Sequence, residues 1–204
     1  LDGARIMSGT LRVERHRVDL NTVLRRARDV ILPPAVAKRI NVVIEGDGLP
    51  AIVEGDDARL QQVAWNLLTN AVKFTPQGGT IRARVRRSTH AVELAVIDTG
   101  SGIPAEFLPA VFEPFRQADG TATRAHGGLG LGLTIVKHIV DAHGGTVRAE
   151  SGGPGMGATF SVRLPLAPAS DSLLDPAATS FAVHAATTER DASLEGLSVL
   201  VVDD

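Results

Sequence analysis

Asn66-Leu-Leu-Thr-Asn70-Ala-Val-Lys73, Asp98-Thr-Gly100-Ser-Gly102-Ile103, Gly127-Gly128-Leu129-Gly130-Leu131-Gly132-Leu133 and Gly155-Met-Gly157-Ala-Thr159 follow one another in this order along the chain. The segments around them set the expected fold. Asp56-Asp57 start a long helix on which Leu60, Val63, Ala64, Leu67, Ala71 and Phe74 share one face. Thr75-Pro-Gln-Gly-Gly79 ends it. Residues 80–86 alternate Ile81, Ala83 and Val85 with arginines, so one face of that strand is wet, and residues 91–97 are nearly all apolar and so more central. These two pair antiparallel. Residues 131–142 form a helix stopped by Gly144-Gly145, and residues 146–150 and 158–164 a second strand pair. Upstream, Asp19 caps an earlier helix that Pro33-Pro34 interrupts or kinks. Strands at 41–45 and 51–53 follow, with a turn at Gly46-Asp-Gly48.

Asn66 and Asn70 lie one helical turn apart and share a face. Their amide oxygens are hard ligands of the kind Mg²⁺ takes beside water and phosphate. Lys73 adds a positive charge on the same stripe, although such a stripe also fits a solvated helix surface. Asp98 ends the apolar strand, where its carboxylate suits an exocyclic amine such as adenine N6. Gly100 and Gly102 let backbone approach a flat ring. Alone, such an aspartate also fits a β-turn. Gly128, Gly130 and Gly132 precede a helix whose amides favour anions. A dinucleotide fingerprint would need a strand before these glycines, and the preceding residues 99–129 read as irregular. No Gly-Lys-Ser or Gly-Lys-Thr loop occurs. Together the patches describe a nucleotide pocket.

Composition narrows the class. The chain has 204 residues, 44% hydrophobic, with aromatics at 3%, so its core is aliphatic. A net charge of −2 argues against a nucleic-acid partner. Cysteine is absent, which removes disulfide frameworks and thiolate metal sites. No apolar run reaches the roughly 18 residues of a membrane span, so a soluble, cytoplasmic piece of a longer protein without direct membrane contact is expected. His16, His90, His126, His138, His143 and His184 show no metal-ligand spacing and read as surface or packing residues.

The four patches resemble, in order, the N, G1, G2 and G3 boxes of sensor histidine kinases of the GHKL ATPase superfamily. Phe112-Glu-Pro-Phe115 resembles the F box between them, its phenylalanines pinning the loop to the core. The resemblance covers roughly residues 19–166. It implies an α+β fold of two layers, a mixed and largely antiparallel sheet with helices on one face, holding ATP under a flexible lid. By the same resemblance Asn70 is the main Mg²⁺ ligand and Asn66 the first N-box asparagine. Lys73 and Arg124 contact phosphates. Asp98 accepts from adenine N6, with Gly100, Gly102 and Ile103 along the ring. Gly128, Leu129, Gly130, Leu131 and Gly132 form the phosphate-side loop, and Thr159 lies near the adenine carboxylate. Gyrase-type and Hsp90-type relatives carry a water-activating glutamate where Asn66 stands. An amide has no titratable proton to serve as that base, which favours phosphoryl transfer to protein over hydrolysis.

The same resemblance organises the rest of the chain. Residues 1–18 are similar to the end of a dimerisation hairpin and its connector, 19–166 form the ATP-binding domain and 167–196 a linker. Residues 197–204, ending Val202-Asp203-Asp204, resemble the first strand of a response-regulator receiver. The phosphoacceptor histidine is expected on a hairpin that this sequence lacks; His16 has the wrong neighbours. The implied partners are that histidine-bearing domain and a receiver. Two rivals are a nucleotide-binding regulatory or scaffold module and an anti-sigma-type serine kinase.

Overall fold

Two aspartates start the first two helices in the computed structural model, which describes residues 12–46, 48–116 and 130–168. Asp19, extended at φ −88° and ψ 112°, accepts from the Asn21 N–H, and α1 runs Leu20–Ala37. Asp56, at φ −90° and ψ 113°, accepts from the Arg59 N–H, and α2 runs Asp57–Phe74. Both caps satisfy amides that a helix start leaves without partners. The interruption expected at Pro33-Pro34 does not end α1, which continues to Ala37. Burial on both sides of the prolines explains this: Ile31 and Ala35 are both core residues. The last turn is closed beyond the ring pair by Lys38 N–H to Pro34 O (3.2 Å) and Ile40 N–H to Ala35 O (2.9 Å). Packing here outweighs local propensity.

The described residues form seven strands, which follow the expected pattern with one addition. β2 (Asn41–Gly46), β4 (Thr80–Arg87), β5 (Ala91–Asp98), β6 (Thr146–Glu150) and β7 (Ala158–Pro165) make a sheet in the order β2-β4-β5-β7-β6. β2 and β4 are parallel, and every other pair in it is antiparallel. Residues before Asp19 were expected as connector. Instead β1 (His16–Asp19) pairs antiparallel with β3 (Ile52–Gly55) in a separate two-stranded sheet. The turn near Gly46 therefore joins strands of different sheets.

Alternation divides the large sheet into two faces. Ile81, Ala83 and Val85 are buried and stand opposite Asp98, Val96 and Leu94 on β5, which in turn stand opposite Ala158, Phe160 and Val162 on β7. This face shares one core with Leu67 and Leu68 of α2 and with Val136 and Ile139 of α3, which spans Gly132–Ala142. Arg82 and Arg86 point to the exposed side. Helices thus cover one face of a mixed, largely antiparallel sheet, as the resemblance implies. Phe74, expected on the core face, is 46% exposed at the end of α2. No described helix is long and apolar enough to cross a membrane. Residues 1–11, Arg124, Gly127, Gly128, Leu129, the linker from 169 onward and the receiver-like strand lie outside the described residues.

Candidate functional site

Asp98 closes β5 with its carboxylate buried, 7% exposed. The Gly100 N–H donates to its Oδ1 at 2.8 Å. Burial pushes its pKa up, against the lowering pull of backbone hydrogen bonds from Gly100 and Ala158. Such a group is an acceptor held out of water, with a standing preference for a donor.

The glycines around it are required by close approach. A Cβ on Gly102, which has φ +69°, would come within 2.0 Å of Gly153 O, and one on Gly157, also at φ +69°, within 2.0 Å of Asp98 O. Only residues without a side chain let the β5 loop and the β6–β7 loop touch. Backbone bonds lace the two loops together: Gly155 N–H to Ser101 O at 2.6 Å and Gly157 N–H to Gly100 O at 3.2 Å. The β5 loop also rests on the end of α2, through Ser101 N–H to Phe74 O (3.2 Å). A cavity of about 230 Å³ at this end of the strands is lined by Asp98, Ser151, Met156, Gly157 and Ala158 among others.

A second group of candidate residues lies on α2 and α3. Asn66 and Asn70 sit half-buried on α2. Asn66 Nδ2 is buried without a hydrogen-bond partner, a donor lacking its oxygen, and so is the Thr134 hydroxyl in the first turn of α3. Gly132 faces Asn66, since a Cβ there would lie 3.8 Å from Asn66 Oδ1. α3 begins at Leu131 with no side-chain cap and no acidic residue in its first turn. Its start differs from those of α1 and α2, whose aspartates cap them. Open amides at a helix N-terminus suit an anion. Gly130, at φ +68°, packs a bare Cα against the backbone of Phe115 and Arg116. Lys73 Nζ lies 4.9 Å from the centroid of the Phe74 ring. A cation in that position is shared between the ring and any phosphate nearby.

Thr159 stands opposite Ile97 and Ala158 opposite Asp98, and all four line the same cavity. One expectation needs correction. Phe112 meets Phe160 edge-on at 6.4 Å and packs against the core, but Phe115 is 61% exposed and pins nothing. Asp98, Gly100, Gly102 and Ile103 share the end of β5 and the loop that leaves it, and Gly132 faces Asn66 at the start of α3.

Three supporting residues escaped the sequence reading. Lys38 Nζ donates to the carbonyls of Val72 (2.7 Å), Lys73 (3.1 Å) and Thr75 (2.8 Å), binding the open C-terminus of α2. His143 is 3% exposed, its Nε2 accepting from the Asp56 N–H at 3.0 Å and its Nδ1 lying 2.7 Å from Ile139 O. The Nε2 bond fixes the tautomer: Nδ1 carries the proton and donates to Ile139. Burial lowers the His143 pKa. The third, Ser151, bonds both glycine loops. All three are ordinary residue types outside any motif, and the groups they serve lie far along the chain.

Residues 55–168 match the family described as histidine kinase-, DNA gyrase B-, and HSP90-like ATPase, and the chain belongs to that family. It is 37% identical over 180 residues to Hybrid signal transduction histidine kinase D of Dictyostelium discoideum, a match covering 73% of this chain and 12% of that protein. Among solved structures it is similar to full-length ShkA in complex with AMPPNP, with a TM-score of 0.71 at 31% identity, over 82% of this chain and 34% of that one. Histidine kinase ThkA in complex with response regulator protein TrrA gives a TM-score of 0.66 at 27% identity, over 81% and 46%. The chain therefore spans a minor part of these longer proteins. Within the family it has the fold and box order of the ATP-binding catalytic domain of sensor histidine kinases.

Proposed function

We propose that this domain transfers the γ-phosphoryl group of ATP to a histidine on a dimerisation hairpin, from which it passes to a receiver aspartate. Three observations support the reading: a buried acceptor, Asp98, lining a cavity at the strand ends, an orphan donor, Asn66 Nδ2, facing Gly132 at the start of α3, and a start of α3 with no side-chain cap. Asp98 accepts from the adenine amine. The open amides of α3, with Lys73 and Arg124, take phosphate oxygens. Mg²⁺, when bound, would be held by Asn70 and would offset phosphate charge during transfer. The catalysis supplied is mostly placement and electrostatics. Asn66 offers no base for activating water, which sets transfer above hydrolysis. The AMPPNP bound in ShkA supports the nucleotide, the TrrA bound to ThkA supports a response-regulator partner, and the hybrid relative supports a receiver in the same chain. In this reading residues 19–166 are catalytic, 167–196 link, and 197–204 open a receiver. The reaction belongs in the cytoplasm, where ATP is supplied.

The test is transfer of label from γ-labelled ATP to a histidine hairpin added in trans. Wild type should label it when Mg²⁺ is present. Asn70→Ala should cut labelling by about a hundredfold or more, ~2.7 kcal/mol of lost transition-state binding. Undiminished labelling by Asn70→Ala would remove the role given to it. Nucleotide binding without any transfer would favour a regulatory module instead.

A further inference from the structure

We infer that Ser151 is the positioning residue that sets the gap between the two glycine loops of the nucleotide pocket. The inference rests on the nucleotide reading above and adds a residue to it. Ser151 follows β6 and its Oγ is saturated. It donates to Gly157 O at 2.6 Å, and it accepts from Ile103 N–H at 3.0 Å and from Gly153 N–H at 3.2 Å. A hydroxyl has one donor and two acceptor sites, and here all three are filled by backbone from two pocket loops. Ile103 belongs to the loop that leaves Asp98. Gly153 and Gly157 belong to the loop that faces it, and Gly157 leads directly into Ala158, whose backbone bonds the Asp98 carboxylate. Ser151 also lines the cavity that holds Asp98.

Among the described residues the Asp98 carboxylate also bonds backbone on both sides, at Gly100 and Ala158, but Ser151 reaches further along both loops, to Ile103, Gly153 and Gly157. The remaining ties are the two backbone bonds at Gly155 and Gly157 and the bare glycine contacts. The glycine contacts resist only further approach, and the backbone bonds resist separation at Ser101 and Gly100. The Ser151 hydroxyl adds the restraint further along the loop, at Ile103. Its loss leaves the Ile103 N–H without a partner and frees the Gly157 carbonyl to turn, which carries the Ala158 amide away from Asp98. The expected defect is in ligand binding, with the sheet beneath left intact.

The experiment is calorimetric titration of the 204-residue chain with a non-hydrolysable ATP analogue and Mg²⁺, beside amide hydrogen exchange. Ser151→Ala should weaken analogue binding by about tenfold or more. The Ile103 amide should exchange faster, while the Val96 amide in β5 keeps wild-type protection. Ser151→Thr, which keeps the hydroxyl, should bind within about threefold of wild type. If Ser151→Ala does not fold, Ser151→Cys replaces it, its weak thiol giving an intermediate affinity. Wild-type affinity in Ser151→Ala or Ser151→Cys overturns the inference. So does loss of protection at Val96 together with Ile103, since that marks a general structural role. A wild-type chain that fails to bind the analogue overturns the nucleotide reading itself and this inference with it. Binding that survives the loss of the hydroxyl overturns only the part given to Ser151.

Discussion

At the scale of single residues, Asp98 works against the fold that carries it. Its pKa is raised by burial, so the folded state holds the proton more tightly than the unfolded chain does. Stability is then lost as pH rises through the folded pKa, and at neutral pH the ionised group is a net cost. Asp98→Asn keeps an oxygen for the Gly100 N–H and removes the buried charge. Thermal melts at pH 7 should show an unchanged or higher midpoint, while affinity for an adenine nucleotide falls by about tenfold or more. A lower midpoint with unchanged affinity would make Asp98 a structural group. His143 has the opposite sign. Its pKa is depressed by burial, with Arg15 lowering it further and Asp56 and the Ile139 carbonyl opposing. The unfolded chain takes the proton first, so stability should be flat above pH 6.5, an ordinary histidine's value, and should fall below it toward the folded pKa. Urea midpoints from pH 8 to pH 5 in wild type and His143→Gln check this. The variant is less stable throughout, and the histidine contribution to the slope should vanish from the difference curve.

At the scale of elements, α2 is held at both ends by residues from elsewhere in the chain. His143 ties its first turn to the end of α3, and the Lys38 ammonium binds three carbonyls at its last turn. Lys38→Met keeps most of the apolar stem and removes the charge. It should lower stability by about 2 kcal/mol in urea denaturation, the range for bonds to a charged donor. A change under ~0.5 kcal/mol would show water satisfying those carbonyls equally well. Element type was legible where local chemistry is strong. Asp19 and Asp56 announced α1 and α2, and the Ile81-Arg-Ala-Arg-Val alternation announced β4. β1 was not legible, because His16-Arg-Val-Asp19 buries Val18 alone among its large side chains and becomes a strand through pairing with β3. The length of α1 was hidden for a related reason, since two prolines read as an interruption or kink unless the burial of Ala35 is known.

At the scale of the whole molecule, the site is a seam between distant segments, and the sequence showed its parts better than its supports. Asp98, Gly102 and Gly157 stood out because their patches occur in order with the others, although an aspartate among glycines alone also fits a β-turn. Thr159, read from its motif, lines the cavity with Asp98, while Ala158, directly opposite the carboxylate, was passed over. Lys38 and Ser151 are invisible to motif reading because their partners are backbone atoms brought close only by the finished fold. A larger open groove of about 550 Å³ runs along Val30, Pro34, Trp65 and Val72 between α1 and α2, and Lys73 is the one site residue it touches. The start of α3 has a further consequence. α1 and α2 carry capping aspartates, whereas α3 has no side-chain cap. Under the proposed function its first turn is finished by the phosphate it binds, so substrate arrival is also the last local step of folding. Occupancy would then be written into the stiffness of a helix that reaches, through His143, to the start of α2.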